Sequence, residues 1–382
     1  MAKKKNKVQR FYDYSLLFTI VFLTIFGLIM IYSASSYKAQ MEYDGNAAYF
    51  MTKQGIIALA GFVAMLVISK IDYHLYAKRW VWIFAVILSW GLMIAVSLFG
   101  RKINGKRRWL GVGTTLGFQP TELVKITVII ALAAMIVKLG RDIDRMAGVV
   151  RVGLICLPLA AIVAANNLSS GIIIAGIGFV MLFVASRKKW PFALCVVAGG
   201  LVIAFAGPIG HALEAIKLLK PYQLTRINVW LDPEAYPDTG GYQVLQGLYA
   251  IGSGGLFGKG LGESIQKLGF VPEAQNDMIF SIICEELGLF GAVGVILIFM
   301  FMIYRFMLIA SNAPDLFGAL LVVGVMAHIA IQVILNIAVV TNTIPNTGIT
   351  LPFISYGGTS ILFLMVEMGI VLSVSNQIKL EK

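Results

Sequence analysis

Long apolar stretches recur along the whole chain, and short polar or charged segments separate them. About 20 consecutive apolar residues are enough for an α-helix to cross roughly 30 Å of hydrocarbon. We predict such helices over residues 15–35, 54–70, 80–99, 120–138, 151–166, 168–186, 191–210, 278–304, 315–340 and 359–377. The pattern therefore predicts an all-α integral membrane protein in which residues 1–382 form a single domain with about ten transmembrane helices.

Two segments interrupt this pattern. Residues 211–276 are the longest interval between predicted spans, where an amphipathic stretch, Ala212–Lys220, precedes turn-rich sequence that predicts a large, irregular external loop. Residues 341–360 contain two prolines and a Gly-Gly pair, which disfavour a regular helix, yet they are too apolar for water. Irregular backbone is tolerated at membrane depth where it lines protein or a cavity, so we predict a re-entrant segment before the last span.

The distribution of basic residues predicts the orientation of the chain, because Lys and Arg are enriched in short cytoplasmic loops. The first ten residues carry five of them. Residues 1–14 are therefore predicted to form a cytoplasmic tail, and an even number of spans returns residues 378–382 to the same side. The chain has 31 Lys and Arg against 19 Asp and Glu, a net charge of +12. Basic turns of this kind anchor a protein at the inner leaflet, and we expect no nucleic-acid partner.

Basic residues also gather on the predicted outer side, where positive charge is disfavoured. Residues 100–113 carry five, among them Arg107 and Arg108, directly before Trp109. Arginine pairs bidentately with phosphate, so this loop suits an anionic headgroup. The alternative is a solvated loop that rests on the lipid surface.

A second polar motif, Gln119–Lys125, opens the next predicted span. Pro120 suits the first turn of a helix, and Glu122 and Lys125 then lie three residues apart on one face. Ionisable groups inside an apolar span pair with one another or line a polar cavity. Lys125 is therefore a candidate clamp for an external pyrophosphate, and a neutralised structural ion pair is the alternative.

The glycine-rich stretch at residues 251–262 does not match a nucleotide-binding loop. A P-loop that ended at Lys259 would require glycine in place of Ser253 and Ser or Thr in place of Gly260. The glycines either let the backbone approach a ligand or a neighbouring helix, with a phosphate nest as one form of that contact, or they provide flexible packing.

Asp277 is a lone carboxylate at the point where the long external loop enters a predicted span. A carboxylate at the mouth of a membrane protein is costly unless it has a function. Desolvation there is expected to raise its pKa towards that of a useful base. A cap on the helix N-terminus is the alternative role. Glu285 and Glu286, further along the same span, are interpreted as structural or gating charges, and Glu367 in the last span has no assigned role.

These motifs together resemble the SEDS family, the shape, elongation, division and sporulation proteins typified by RodA and FtsW. The similarity runs nearly from end to end. It includes residues 26–35, Asn104–Trp109, Gln119–Lys125, Gly241-Tyr242-Gln243, residues 252–262, Pro272–Asp277 and Leu351–Gly358. Within the family, Ile349–Phe353 and the short termini favour an FtsW-like division protein, with RodA-like and sporulation members as alternatives.

Two positions depart from the common family pattern. Many members have Thr directly before the aspartate, where this chain has Asn276, which keeps a hydrogen-bonding side chain. A turn that commonly reads Pro-Asp/Asn-Leu-Gly-Thr is replaced here by Asn166–Ser170. The functional role of that turn is therefore left open.

The resemblance implies a ten-helix protein of the bacterial cytoplasmic membrane that polymerises lipid II on the outer face and releases undecaprenyl pyrophosphate. It also implies a complex with a class b penicillin-binding protein. The catalytic aspartate of the family corresponds to Asp277. The predicted substrate-binding residues are Arg107, Arg108, Glu122, Lys125, Lys259 and Ser355. A divalent cation, Mg²⁺ or Mn²⁺, is expected but its ligands are not identified, and no organic cofactor is expected.

One carboxylate is sufficient for such a reaction. A sugar hydroxyl attacks an anomeric carbon that carries lipid pyrophosphate, a good leaving group, so the reaction needs a base and cations that stabilise phosphate charge. Asp277 is the expected base, and attack opposite the leaving group inverts the anomeric centre. A lipid II flippase and a non-catalytic scaffold are the alternatives. A flippase requires charges distributed through the midplane, whereas the unusual charges here gather at the predicted outer mouth.

Overall fold

The computed structural model describes residues 11–103, 106–111, 117–215 and 221–379, and helices dominate it. An antiparallel hairpin, β1 (Arg101–Ile103) and β2 (Lys106–Trp109), connects two of the helices. The helices are α1 (Tyr14–Glu42), α2 (Tyr49–Ile68), α3 (His74–Ala77), α4 (Arg79–Phe99), α5 (Pro120–Leu139), α6 (Met146–Asn166), α7 (Leu168–Ala185), α8 (Trp190–Ala204), α9 (Ala206–Ala215), α10 (Pro221–Leu231), α11 (Gly241–Gly254), α12 (Ile279–Ser311), α13 (Leu316–Val340) and α14 (Thr359–Ser375).

The predicted class, an all-α membrane protein, is confirmed. Within the described residues, eight helices are long and apolar enough to cross a membrane: α1, α2, α4, α5, α6, α7, α12 and α13. The pair formed by α8 and α9 meets the same criteria jointly, and α14 is a shorter apolar helix. Each predicted span therefore falls on a helix or on this pair. α5 and α13 lie at the centre of the bundle, where most of their residues are buried.

The prediction of one continuous helix over residues 191–210 is wrong, because the chain turns by 82° between α8 and α9. The proline ring at position 208 explains the break. A proline inside a helix clashes with the carbonyl group four residues earlier, and for Pro208 that residue is Ala204, where α8 ends. In the first turn of the new helix α9 the same proline is tolerated.

The irregular structure predicted after residue 220 is also wrong in part. Pro221 begins α10 instead of ending a helix, and α11 covers Gly241–Gly254. Prolines at the first helical position lose no hydrogen bond, so the turn-like composition was misleading. The amphipathic stretch predicted over Ala212–Lys220 lies partly outside the described residues. The first ten residues and the last three lie wholly outside them. The cytoplasmic location of both termini stays a prediction.

The glycine-rich segment after α11 packs against a break in α12. Gly288 adopts φ 67° and ψ −164°, a conformation that glycine tolerates best, and it interrupts the helical hydrogen bonds. The freed carbonyl oxygens of Glu285 and Glu286 accept from the N–H groups of Lys259 and Gly260, both at 2.9 Å. Of the two alternatives, the structure therefore shows close packing of this segment on a neighbouring helix.

This packing leads to a test of stability. A Cβ atom at Gly254 would lie 2.0 Å from the carbonyl oxygen of Cys284, whereas one at Gly252 of the same helix meets nothing within 4 Å. We expect Gly254→Ala to destabilise the fold by about 1–3 kcal/mol, because backbone on α12 would have to move. Thermal unfolding in detergent should show a lower Tm for Gly254→Ala than for the wild type. The control Gly252→Ala should show no such decrease. Equal Tm values for the two variants would contradict this contact.

Candidate active site

A polar cavity of about 490 Å³ opens at the end of the bundle where α5 and α14 begin. Helices α2, α5, α7 and α13 contribute to its wall, together with β2, the loop before α12 and the segment before α14. Its charged and polar lining residues are Lys53, Arg108, Gln119, Glu122, Lys125, Asn167, Ser169, Ser170, Glu273, Asn276, Asp277, Gln332, Thr350, Tyr356, Thr359 and Ser360. Three carboxylates and three cations from this set therefore face one space.

Asp277 lies on this wall, two residues before α12 begins at Ile279. The N-cap of that helix is Met278, and no side chain caps it, so the alternative role as a helix cap is not observed. The Asp277 carboxylate has a buried Oδ1 atom that accepts no hydrogen bond within the described residues. The pKa of Asp277 is raised to about 7, mainly by burial and to a smaller extent by the Glu273 carboxylate, while a hydrogen bond from the Asp277 backbone and the charge of Arg226 oppose the rise. The geometry thus gives this carboxyl the proton affinity of a general base near neutral pH.

Asn336 of α13 holds the Asp277 loop in place. Its Nδ2 atom donates to the carbonyl oxygen of Asp277 at 2.9 Å and to that of Ile349 at 2.7 Å. A second link joins the same two segments, since the N–H of Tyr356 donates to the carbonyl oxygen of Gln275 at 2.9 Å. The segment before α14 and the Asp277 loop are therefore fastened to each other at two points.

The segment before α14 has the irregular backbone that the sequence predicts. No regular helix covers residues 343–358, and the stretch from Leu351 to Ser355 is buried. Its residues Gly348, Ile349 and Thr350 line the cavity beside Asp277. As the sequence predicts, this segment and Asp277 share one site.

Glu122 and Lys125 form a buried ion pair that also faces the cavity. The Lys125 Nζ atom lies 2.9 Å from Glu122 Oε2, and the Ser360 hydroxyl donates to that same oxygen at 3.1 Å. The two side chains are only 5% and 3% exposed. The two roles considered for this pair, a structural ion pair and a cavity wall, are thus present together.

The two arginines of the hairpin differ in position. Arg108 lines the cavity, and its Nε atom donates to the carbonyl oxygen of Asn166 at 3.2 Å. Arg107 points to the end of α4, where its Nη1 atom donates to the carbonyl oxygens of Ser97, at 2.9 Å, and Leu98. The hairpin therefore presents Arg108 to the cavity and uses Arg107 to fasten itself to α4.

Two other predicted substrate-binding residues do not reach the cavity wall. Lys259 lies 2.7 Å from Glu285 Oε1 in an ion pair that fixes the glycine-rich segment to α12. The Ser355 hydroxyl oxygen accepts from the N–H of Leu351 at 2.7 Å and is buried in the segment before α14. The Lys259 side chain is paired with a side chain of α12 and the Ser355 hydroxyl with backbone of its own segment, and neither residue lines this cavity.

Several cavity residues were missed from the sequence. Asn167, Ser169 and Ser170 belong to the turn whose role the sequence leaves open, and Lys53 directly precedes the span predicted over residues 54–70 and has no predicted role. A usable signal existed at Gln332, a polar residue four positions after His328 and hence on the same helix face. Polar side chains at this spacing inside a predicted span indicate a buried network.

Comparison with known proteins agrees with this architecture. The sequence profile of the FtsW, RodA and SpoVE cell cycle proteins matches residues 14–380. The chain belongs to this family. The resemblance drawn from the motifs is therefore confirmed, and the chain is a multi-pass bacterial membrane protein of the FtsW/RodA/SpoVE type.

Two curated relatives come from Bacillus subtilis (strain 168). Stage V sporulation protein E is 39% identical over 94% of each chain. A protein named probable peptidoglycan glycosyltransferase FtsW is 36% identical over 98% of this chain and 93% of its own length. FtsW proteins of other bacteria are also similar, for example that of Coxiella burnetii at 31% identity, in agreement with the FtsW-like prediction.

Solved structures support the fold. A chain from a peptidoglycan synthase complex, described as coordinating polymerization and crosslinking, gives a TM-score of 0.77 at 26% identity and covers 96% of this chain and 98% of its own. Rod shape-determining protein RodA of Thermus thermophilus gives 0.68 at 24% identity over 97% of this chain and 98% of its own, which supports the fold alone.

The pKa of Asp277 predicts how stability depends on pH. A carboxyl in an unfolded chain titrates near pH 3.9, whereas Asp277 in the folded protein titrates at about 7. Folding therefore takes up a proton between these values, and stability falls as pH rises through this window. We expect Asp277→Asn, which is neutral at every pH, to raise Tm by roughly 2–5 °C at pH 8 and by less at pH 5.

Glu263→Gln is the matched control, because Glu263 is an exposed carboxylate in the same connection between α11 and α12. We expect it to leave Tm unchanged at both pH values. An Asp277→Asn gain that is the same at pH 5 and pH 8 would show that the Asp277 carboxylate is not destabilised by burial.

Proposed function

We propose that the protein is a peptidoglycan glycosyltransferase that polymerises lipid II on the outer face of the cytoplasmic membrane and releases undecaprenyl pyrophosphate, in cell division or cell-shape maintenance. The observation that carries the proposal is Asp277, a carboxyl that titrates near neutral pH in a polar cavity that it shares with Arg108 and Lys125. The names of the FtsW relatives, which are similar over nearly the whole chain, support it.

In this reaction Asp277 accepts the proton of the attacking sugar hydroxyl. The hydroxyl oxygen forms a bond to the anomeric carbon of the second lipid II molecule while the bond from that carbon to the pyrophosphate breaks. The pyrophosphate leaves with its electron pair and needs no proton. Attack from the opposite side inverts the anomeric centre, and a base with a pKa near the working pH is the most effective for this task.

The cations of the cavity are suited to hold the pyrophosphate. Arg108 offers a planar donor group for phosphate oxygens, and Lys125 offers an ammonium already oriented by Glu122 at 2.9 Å. Lys53 adds a third positive charge from α2. Charge that develops on the leaving group is best stabilised by donors that are held in place before the reaction begins, and the buried Glu122–Lys125 pair meets this condition.

The loop before α12 fits a divalent cation. Glu273 and Asp277 are both on the cavity wall, and the Oδ1 atoms of Asn276 and Asp277 are buried without a hydrogen-bond partner in the described residues. Mg²⁺ and Mn²⁺ prefer such oxygen ligands and often bind one or two carboxylates together with substrate phosphates. A bound cation would neutralise charge on the pyrophosphate, and Glu273 and Asn276 are the residues that would hold it, which leaves the Asp277 carboxylate as the base.

The proposed partner is a class b penicillin-binding protein that supplies the crosslinking activity. The solved complex that contains a similar chain is described as coordinating polymerization and crosslinking, which supports this assignment. The proposed orientation, with the cavity outside and both termini in the cytoplasm, is supported by the basic residues near the N-terminus.

A lipid II flippase is the rival function, and it requires a polar path through the bundle. Lys125 contacts His328, which in turn contacts Glu367 at 2.7 Å inside the packed core, and neither His328 nor Glu367 lines the cavity. Two buried groups that hydrogen-bond to each other in a packed region form a closed cluster instead of an open path. This arrangement favours chemistry at the cavity over transport through the bundle.

The decisive experiment measures polymer formation. The protein is purified with its penicillin-binding protein, whose transpeptidase is blocked, and is given labelled lipid II. We expect long glycan strands from the wild type and a loss of about 10²–10⁴-fold for Asp277→Asn, because a general base contributes about that much. The wild-type rate should rise with pH through about 7, as the base loses its proton.

Glu263→Gln serves as the control and should polymerise like the wild type. Sustained polymerisation by Asp277→Asn would show that Asp277 is not the general base. If neither the wild type nor the variant makes polymer although the complex is intact, and labelled lipid II instead crosses vesicle membranes that contain the protein, the flippase is correct.

A second prediction concerns the cation. If Glu273 helps to hold it, Glu273→Gln should raise the Mg²⁺ or Mn²⁺ concentration for half-maximal polymerisation by about tenfold, since one carboxylate ligand is lost. Saturating cation should restore most of the rate, and chelation should abolish it in both proteins. An unchanged cation requirement in Glu273→Gln would exclude this carboxylate as a ligand.

A further inference from the structure

His328 connects the cavity to the interior of the bundle. Its side chain is fully buried on α13 and lies between two charged residues from neighbouring helices. His328 Nε2 is 2.9 Å from Lys125 Nζ of α5, and His328 Nδ1 is 2.7 Å from Glu367 Oε2 of α14. Glu367 is 1% exposed. The described residues thus contain a continuous chain of contacts from Glu122 through Lys125 and His328 to Glu367.

The Glu367 carboxylate fixes the tautomer of the imidazole ring. A carboxylate only accepts hydrogen bonds, so the proton of the neutral ring belongs on Nδ1, where it is donated to Glu367. This leaves a lone pair on Nε2, facing the Lys125 ammonium. The same logic orients histidines that bind metals, in which a carboxylate fixes one ring nitrogen and frees the other as an acceptor.

Gln332 also approaches Nε2, with Oε1 at 2.8 Å. The orientation of its amide is set by Thr350, because Gln332 Nε2 donates to the Thr350 carbonyl oxygen at 2.9 Å. An N–H at His328 Nε2 would satisfy Gln332, whereas a lone pair satisfies Lys125. The contact with Lys125 determines the tautomer, because a hydrogen bond from an ammonium is stronger than one between neutral groups.

The N–H donors of the Lys125 ammonium can therefore be assigned one by one. An ammonium has three N–H groups. Glu122 Oε2 accepts one at 2.9 Å, and His328 Nε2 accepts another at 2.9 Å. Both acceptors are buried, and the Lys125 side chain also lines the cavity. The third N–H is the one available to a ligand there.

We propose that His328, backed by Glu367, is a positioning residue that orients the Lys125 ammonium so that its third N–H meets a phosphate oxygen of the lipid-linked pyrophosphate. This inference rests on the proposed function, in which lipid II binds in the cavity. It assigns a role to two buried ionisable residues that do not themselves touch the substrate.

The test measures binding in the Asp277→Asn background, in which polymerisation is expected to be slowed about 10²–10⁴-fold. Full-length protein is titrated with a short-chain lipid II that carries a fluorescent label on its peptide. We expect His328→Leu to weaken binding about tenfold, the effect of one lost hydrogen bond to a charged group. His328→Gln should retain most of the affinity, because its amide can accept from Lys125 and donate to Glu367.

A double-mutant cycle with Lys125→Met shows whether His328 acts through Lys125. Lys125→Met should weaken binding, and adding His328→Leu should cause no further loss, because residues that act through one contact are not additive. Glu367→Gln provides a variant of nearly unchanged shape, in case His328→Leu fails to fold. It should weaken binding in the same direction, since the ring is then free to turn an N–H to Gln332.

Three results would overturn the proposal: additive losses in the cycle, equal affinities of the His328→Gln and His328→Leu variants, or normal binding by the folded His328→Leu and Glu367→Gln variants while Lys125→Met binds weakly. Normal binding by Lys125→Met has a different meaning. It would show that Lys125 is not a lipid II ligand, and the binding part of the proposed function would fail together with this inference.

Discussion

A charge inside a helix bundle is stable only if a partner of opposite charge or a set of hydrogen bonds compensates its loss of water, and this constraint shapes the protein from end to end. At one end, Arg305 of α12 forms a bidentate pair with Asp13, at 2.8 Å for the closest contact, where α1 begins. Near the other end, Lys267 pairs with the fully buried Glu286 at 2.8 Å. The Arg305–Asp13 pair joins residues 292 positions apart, and Ser33 of α1 donates to Glu286 at 2.6 Å, so compensation of charge also links α1 to α12.

Asp277 is where this compensation is incomplete. One of its carboxylate oxygens is buried and accepts no hydrogen bond from the described residues, while the backbone around it is held firmly by Asn336. Glu273, four residues earlier, has φ of 54°, a conformation that costs energy for a residue other than glycine. The fold therefore fixes the position of a carboxyl that it does not stabilise as an anion. A polar group that is held rigidly but lacks a hydrogen-bond partner within the protein is typical of a site that binds a ligand or a reacting group.

Much of this architecture could be predicted from the sequence, because the length of apolar stretches and the rarity of charges inside them are strong signals in hydrocarbon. Asp277, Glu122 and Lys125 were found in this way, and the structure places all three on one cavity. Lys259 could not be placed, because glycine-rich sequence does not reveal whether a backbone approaches a ligand or a helix. The pairing of His328 with Lys125 joins residues 203 positions apart, and only the packing of α5 against α13 brings them together.

The break in α12 at Gly288 has a consequence for how the chain can vary. The carbonyl groups of Glu285 and Glu286 bond to the N–H groups of Lys259 and Gly260, and the N–H of Leu289 bonds to the carbonyl of Gly255. These pairs form a fixed register between a loop and a helix, much as two strands do. An inserted or deleted residue between them would leave buried polar groups without partners on both sides of the break. A segment that by composition resembles a flexible linker is therefore among the parts of the chain least able to change its length.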